Sequence, residues 1–144
     1  MTKLSVNLNK IGLLRNQRDV GYPNVVKAAR LVLNAGAHGL TVHPRPDERH
    51  IRRRDVFDIA SLLKSEFTPE IELNIEGNPT PEFLELVDEI SPQQVTLVPD
   101  APDAWTSDEG WNVVEKADFL VPVITVLKAK GIRTVLFLNA DPDM

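Results

Sequence analysis

Five short runs along the chain are typical of β-strands, and the polarity within them constrains the fold more than any other feature. In the first three runs, polar and apolar residues alternate strictly. Because neighbouring side chains of a strand point to opposite faces, each of these strands is predicted to have one apolar and one polar face. The five runs are LSVNLN (4–9), GLTVHP (39–44), IELNIEG (71–77), QVTLVP (94–99) and RTVLFLN (133–139).

Four helical patterns lie between these runs, so that strands and helices alternate. The first is followed by Gly36, a common helix end, and the third opens with Thr80 as its cap and Pro81 in its first turn. Pro122 lies inside the fourth and is expected to kink or divide it. This order predicts parallel strands joined by right-handed crossovers. The helices are predicted over 24–34, 55–66, from 81 to just before Pro92, and 113–130.

The polar strand faces distinguish between two arrangements of parallel strands. An open, doubly wound sheet has helices on both faces, which would bury the carboxylates and amides of the polar faces without partners. In a (β/α)8 barrel the strands share one interior, and the active site lies at the mouth formed by their carboxyl ends. An antiparallel sheet with one face in water also fits the alternation, but the long helical crossovers disfavour it. We therefore predict an α/β fold of the (β/α)8 TIM-barrel type, partial, with about five strands and four helices in one domain over residues 1–144.

Composition limits the class of protein. The chain has 144 residues, of which 42% are hydrophobic, enough to form the core of one domain. It contains no cysteine, so disulfides and thiolate chemistry are excluded. It has no apolar run long enough to span a bilayer and no apolar leader, so we expect no membrane partner and a cytoplasmic location. The net charge of −5 argues against nucleic acid as a partner.

Polar and charged residues cluster where the predicted strands end. A histidine and a carboxylate can transfer protons there, the carboxylate after enclosure has raised its pKa. Arginine binds phosphate or carboxylate groups through its planar guanidinium. Together these residue types favour proton transfer on a small phosphorylated substrate. The strand ends supply Asn7, Asn9, His43, Arg45, Glu76 and Thr96, and the following loops add Arg15, Arg18 and His50.

Structural interpretations compete with functional ones at several positions. His43 and His50 are each as typical of a structural histidine as of a functional one, and Arg15 and Arg18 are typical of solvated loop charges. Lys10 has the chemistry of a Schiff-base lysine, but the alternation of the first strand directs it outward. A metal site is disfavoured because close histidine spacing such as HExxH is absent from the sequence, and we predict no metal.

Several segments resemble those of a known enzyme family. VNLNKIGLLRNQRD, GLTVHPRPDERHIRRRDV, LNIEG, and QVTLVPD with WTSDEGW are similar to the N-terminal part of pyridoxine 5′-phosphate synthase, a family of vitamin B6 biosynthesis. The resemblance implies a (β/α)8 transferase that condenses 1-deoxy-D-xylulose 5-phosphate with 3-amino-2-oxopropyl phosphate. Its products would be pyridoxine 5′-phosphate, phosphate and water, and the reaction would need neither a metal nor an organic cofactor.

The resemblance also implies a role for individual positions. Two residues would be catalytic proton acceptors, and the others would bind the two phosphorylated substrates. Many members have an Asp-His pair where this chain has Asn9 and Lys10, so one sugar-phosphate contact loses its charge. The implied proton acceptors are His43 and Glu76, the residues at the amino-ketone phosphate are Asn7 and Arg18, and the residues at the deoxyxylulose phosphate are Arg45, His50 and Thr106, with Asn9 and Lys10 nearby.

The length of the chain limits what it does alone. A complete (β/α)8 barrel takes roughly 250 residues, and the last strand here would leave an open edge and apolar helix faces. We expect a fragment that pairs with the missing C-terminal half or assembles into a homo-oligomer, and little turnover from the isolated chain. Two other functions stay open: a non-catalytic half-barrel that binds phosphorylated metabolites, and another phosphosugar (β/α)8 enzyme.

Overall fold

The computed structural model describes residues 2–18, 20–101 and 104–140. These residues form one sheet of five parallel strands, which lie side by side in the order of the sequence. All five predicted strands are confirmed, and each is shorter than predicted because strand pairing stops before the residues that begin the loops. The strands are β1 (Ser5–Asn7), β2 (Gly39–Val42), β3 (Glu72–Gly77), β4 (Gln94–Leu97) and β5 (Arg133–Leu136).

The described residues contain five helices, and the prediction of four was wrong. The additional helix, α1, directly follows β1, where the sequence pattern had extended the strand to Asn9. Asn7 ends the strand, and the buried Leu8 lies between the strand and the helix. The side chain of Asn7 accepts a hydrogen bond from the Asn9 N–H at 2.8 Å. The helices are α1 (Asn9–Asn16), α2 (Val25–Asn34), α3 (Arg53–Glu66), α4 (Pro81–Ile90) and α5 (Ala117–Ala129).

Sequence signals predict the start of one of these three helices correctly and misplace the other two. α4 begins at Pro81, with the Thr80 side chain accepting the Phe83 N–H, as its capping residues predicted. α3 begins two residues earlier than predicted, because Asp55 in its first turn accepts the backbone N–H of Arg52 at 2.8 Å. α5 begins four residues later than predicted, and it continues through Pro122 as one helix.

One face of the sheet is apolar and packs against the helices. Leu40 and Val42 of β2, Ile75 of β3 and Val95 and Leu97 of β4 are all fully buried. They join apolar residues of α2, α3, α4 and α5 in one core. Burial of these side chains is the main force that holds the helices on the sheet.

The other face of the sheet is polar, and its side chains bond to one another across the strands. The Ser5 and Thr41 hydroxyls lie 2.8 Å apart, and Thr41 also accepts from the Asn74 amide at 3.3 Å. Thr96 then donates to the Asn74 carbonyl oxygen at 2.9 Å. The alternation predicted from sequence is therefore confirmed, and the buried polar groups of this face have partners, as their burial requires.

Strand order supports the barrel type over a doubly wound sheet. Doubly wound sheets reverse direction at a switch point, which places helices on both faces. Here β1 to β5 are neighbours in sequence order, so right-handed crossovers place every connecting helix on the same face. The fold is α/β and consistent with part of a (β/α)8 barrel. None of the helices in the described part of the chain combines the length and apolar composition that crossing a bilayer requires.

Candidate active site

The carboxyl ends of the first three strands bring together an amide, a histidine and a carboxylate. Asn7 ends β1, His43 follows β2, and Glu76 is the penultimate residue of β3. The Asn7 Nδ2 atom lies 3.5 Å from the Glu76 Oε2 atom, across β2. Three of the predicted site residues therefore occupy one mouth, on the polar face of the sheet.

His43 is buried directly above β2. Its backbone N–H donates to the Asn9 Oδ1 atom at 2.9 Å, and its imidazole ring lies 5.9 Å from that of His50. Burial is the largest cause that lowers the pKa of His43 to about 3, and electrostatic repulsion from Arg45, His50 and Arg49 contributes to this shift. The imidazole is therefore neutral near pH 7, and it is a weaker base in this structure than a histidine with an ordinary pKa.

Glu76 is half-buried, and its pKa is shifted in the opposite direction. Burial raises the pKa of its carboxyl group and the negative charge of Asp100 adds to the rise, whereas the Asn9 side chain opposes it. The direction is the one that enclosure in a mouth predicted. A carboxylate with a raised pKa accepts a proton more readily, which suits a general base.

Asn9 and Lys10 lie in the first turn of α1, so the prediction that the first strand extends to Asn9 was wrong. Asn9 nevertheless belongs to the mouth, because its side chain bonds the His43 backbone and influences Glu76. Lys10 is exposed, and its positive charge acts on His50. The assignment of both residues to substrate binding stays a prediction.

Arg45 is buried, and its guanidinium is bonded to protein groups. It forms an ion pair with Asp100, donates to the Ala104 carbonyl oxygen at 2.7 Å, and donates to the Ser107 hydroxyl at 3.2 Å. Arg49 donates to the same Ala104 oxygen at 3.1 Å. The assignment of Arg45 to a substrate phosphate stays a prediction. A phosphate at this position would share Arg45 with the Asp100 carboxylate or would replace that carboxylate.

Asp100 is a site residue that the sequence reasoning did not select. Its carboxylate pairs with Arg45, accepts from Ser107 at 2.6 Å, and raises the pKa of Glu76. The available signal was its position directly after the fourth predicted strand, which spans 94–99. A carboxylate at that place belongs to the same mouth as the ends of the other strands.

Arg18 follows the end of α1, and Thr106 lies in the loop after β4. Both are exposed, and within the described ranges neither side chain hydrogen-bonds to another residue of the mouth. Thr106 lies between Trp105, whose carbonyl oxygen accepts from Arg49, and Ser107, which bonds Arg45. The structure brings Thr106 near the arginine cluster through its neighbours, and the roles of both residues stay predictions.

The structure does not support the competing interpretation of Arg15 as a solvated loop charge. Arg15 lies in α1 and forms an ion pair with Asp55 at 2.5 Å, in which each side chain is only about a tenth exposed. His50, to which it is also bonded through the backbone, is half-buried. Burial is the largest cause that lowers the pKa of His50 to about 4. The positive charges of Arg45, Arg49 and Lys10 contribute to this shift, and Asp47 acts in the opposite direction.

A cavity of about 460 Å³ adjoins the mouth, between the segment after β2 and the start of α4. His43 and Arg45 form one wall, and Phe83 and Leu86 of α4 form the other. Asn7 and Glu76 do not line it. The polar mouth and this largely apolar cavity are therefore two neighbouring spaces that share His43 and Arg45.

Comparison with known proteins places this geometry in a family. Residues 4–144 match the family described as "Pyridoxal phosphate biosynthesis protein PdxJ". Pyridoxine 5′-phosphate synthase of Brucella anthropi is 55% identical over 140 residues, which are 97% of this chain and 57% of that protein. The synthases of Mesorhizobium japonicum and Brucella suis are each 56% identical, over 97% and 98% of this chain and 56% of their own length. The chain thus spans a little over half the length of these relatives. The family match and the sequence identities show that the chain belongs to the PdxJ family of pyridoxal phosphate biosynthesis proteins.

Proposed function

We propose that this chain carries the N-terminal part of a pyridoxine 5′-phosphate synthase active site. The reaction would join 1-deoxy-D-xylulose 5-phosphate and 3-amino-2-oxopropyl phosphate into pyridoxine 5′-phosphate, with release of phosphate and water. The observation that carries the proposal is the meeting of Asn7, His43 and Glu76 at one mouth, in a chain whose relatives bear that name.

His43 and Glu76 are the proton acceptors in this proposal. The amine of one substrate can attack the ketone of the other, so the enzyme's task is to hold both and to remove protons in sequence. Glu76 is suited to this task because enclosure raises the pKa of its carboxyl group. Burial and, to a smaller extent, the charge of Arg45 lower the pKa of the His43 imidazole. A phosphate anion that offsets the charge of Arg45 would make His43 more basic.

Phosphate groups of the substrates are assigned to the cationic edge of the mouth. Arg45 and His50 lie beside His43 and would hold the deoxyxylulose phosphate, with Thr106 at its outer side. Asn7 and Arg18 would hold the amino-ketone phosphate. Substrates therefore enter with their reacting carbons over His43 and Glu76 and with their phosphates at the periphery.

A fusion protein tests the proposal. The chain is joined to the C-terminal part of the Mesorhizobium japonicum synthase that lies beyond the matched segment, and formation of pyridoxine 5′-phosphate from both substrates is measured. We expect turnover by the fusion and a fall in kcat of about 100-fold or more in its His43→Ala and Glu76→Gln variants. His38→Ala is the control, because His38 is exposed and its Nδ1 atom accepts the Leu4 N–H at the other end of the strands.

The isolated chain tests the role of the absent part. We expect the 144-residue chain to give little or no product, and to give product when the separate C-terminal part of the relative is added. Appreciable turnover by the chain alone would contradict this expectation. A fusion that folds and binds phosphate without any turnover would favour a binding protein over the synthase.

A further inference from the structure

Side chains of α1 form two hydrogen bonds to the backbone of His50 and one to that of Glu48. The His50 carbonyl oxygen accepts from Arg15 Nη2 at 2.9 Å and from Asn16 Nδ2 at 3.0 Å. Asn16 also donates to the carbonyl oxygen of Glu48 at 3.0 Å. Gly12 lies against the same carbonyl, where a Cβ atom would come within 2.5 Å of the His50 oxygen. The helix is thus fitted to one conformation of the 48–50 backbone.

Asp55 holds this arrangement from the other side. Its Oδ1 atom pairs with Arg15 at 2.5 Å, and its Oδ2 atom accepts the Arg52 N–H at the start of α3. When both partners of an ion pair are largely buried, loss of either one is strongly destabilising, because the other charge is left buried without a partner. α1 and α3 therefore hold the segment that carries His50 between them.

The imidazole of His50 is fixed in addition to its backbone. Its Nδ1 atom accepts the N–H of Ile51 at 2.8 Å, and Ile51 is fully buried. A neutral imidazole has one donor and one acceptor nitrogen. Because Nδ1 is the acceptor, the proton resides on Nε2, and the bond to Ile51 selects this tautomer.

We propose that Arg15, Asn16 and Asp55 are positioning residues that fix His50 as a neutral imidazole with its proton on Nε2, so that this N–H is presented beside His43. His50 then acts as a hydrogen-bond donor to an anionic oxygen of a substrate, and the task of proton acceptor is left to its neighbours. The proposal concerns the tautomer and position of His50 in the free chain. Only the identity of the bound oxygen rests on the proposed function.

The tautomer is measured directly on the 144-residue chain. Histidine ¹⁵N chemical shifts distinguish a protonated from an unprotonated Nδ1, and wild-type His50 is expected to show a single form, with Nδ1 unprotonated near pH 7. In Asn16→Ala and in Arg15→Gln/Asp55→Asn we expect a mixture of tautomers. The double variant leaves no unpaired buried charge, which favours folding. Arg30→Gln, which breaks the exposed ion pair with Glu66, is the control and should retain the wild-type shifts. Unchanged His50 shifts in both site variants would overturn the proposal.

Activity of the fusion protein supplies a second measurement. Loss of the oriented donor should raise KM for the deoxyxylulose phosphate about tenfold in Asn16→Ala, the equivalent of about one hydrogen bond, with kcat less affected. A tautomer mixture together with an unchanged KM would overturn the link to substrate binding. If the wild-type fusion is inactive while the tautomer responds as expected, the proposed function fails and the positioning role is supported.

Discussion

Asn7 and Glu76 stand on strands that are not neighbours, yet the Asn7 Nδ2 atom lies 3.5 Å from the Glu76 Oε2 atom. β2 lies between β1 and β3, and adjacent strands are about 4.8 Å apart. The two side chains therefore lean toward each other over the end of β2, where His43 follows the strand. Asn9 completes the arrangement, because its side chain bonds His43 and acts on Glu76.

The first prediction concerns Asn9. Asn9→Ala removes a side chain that favours the charged form of Glu76, so the pKa of the Glu76 carboxyl should rise further. ¹³C NMR titration of the glutamate carboxyl groups measures the change. Asn34→Ala, at the exposed end of α2, is the control and should leave the titration unaltered. A fall in the Glu76 pKa in Asn9→Ala would contradict the arrangement described here.

Stability should depend on pH through His43. Its pKa is about 3 in the folded chain and 6.5 ordinarily, so the unfolded chain binds more protons between these values. Above about pH 6.5 the imidazole is neutral in both the folded and the unfolded chain. As pH falls below this value, protonation of His43 in the unfolded chain lowers the free energy of unfolding. His43→Gln should therefore lose about 2 kcal/mol less of its free energy of unfolding than wild type does between about pH 7 and about pH 5.

Urea unfolding at the two pH values tests this. Carboxylates, His50 and the raised pKa of Glu76 contribute to wild type and variant alike, so the comparison isolates His43. His38→Gln is the control for loss of a histidine at an exposed site. Equal pH dependence in wild type and His43→Gln would show that His43 is not kept neutral by its surroundings.

The polar face of the sheet should be sensitive to the loss of one amide. Asn74 is buried and bonds the hydroxyls of Thr41 and Thr96. Asn74→Ala leaves both hydroxyls without this partner, and we expect the free energy of unfolding to fall by about 2 kcal/mol or more. Thr125→Ala removes an exposed hydroxyl bonded to the Val121 carbonyl oxygen, and it should change stability much less. Equal losses of stability in Asn74→Ala and Thr125→Ala would mean that Asn74 does not connect Thr41 and Thr96 in a stabilising network.

The sequence was sufficient for the sheet and for the chemical character of its mouth. Alternation at period two determines which residues of a strand share a face, so it predicted that Asn7, His43 and Glu76 lie on one side. The alternation of strands and helices predicted parallel strands. Both inferences depend on local geometry, which neighbouring residues determine.

Local sequence patterns could not predict α1 or the ion pairs at the mouth. α1 has eight residues, and the one that it buries is Gly12, so it carries little apolar periodicity. The pairs Arg15–Asp55 and Arg45–Asp100 join residues 40 and 55 positions apart. Such pairings follow from how the loops at the mouth pack together. A sequence shows that the charges exist, but their partners, and with them the pKa shifts of His43 and Glu76, require the fold.

The last prediction concerns the buried pair of Arg45 and Asp100. Each side chain is less than a tenth exposed, so Asp100→Asn leaves the guanidinium charge of Arg45 uncompensated. We expect the free energy of unfolding to fall by about 3 kcal/mol. If Arg45 binds phosphate, inorganic phosphate can take the place of the lost carboxylate. It should then raise the melting temperature of Asp100→Asn by at least about 3 °C more than it raises that of wild type.

Asp47→Asn is the matched control for this experiment. Asp47 pairs with Arg49 near the same loop, but nearly half of its side chain is exposed, so its removal leaves no buried charge and should cost little stability. Phosphate should raise the melting temperature of this variant no more than that of wild type. An equal phosphate response in Asp100→Asn and Asp47→Asn would place the phosphate away from Arg45. It would also mean that Arg45 serves to hold Ala104 and Ser107 in place, since the guanidinium already donates to both of these residues.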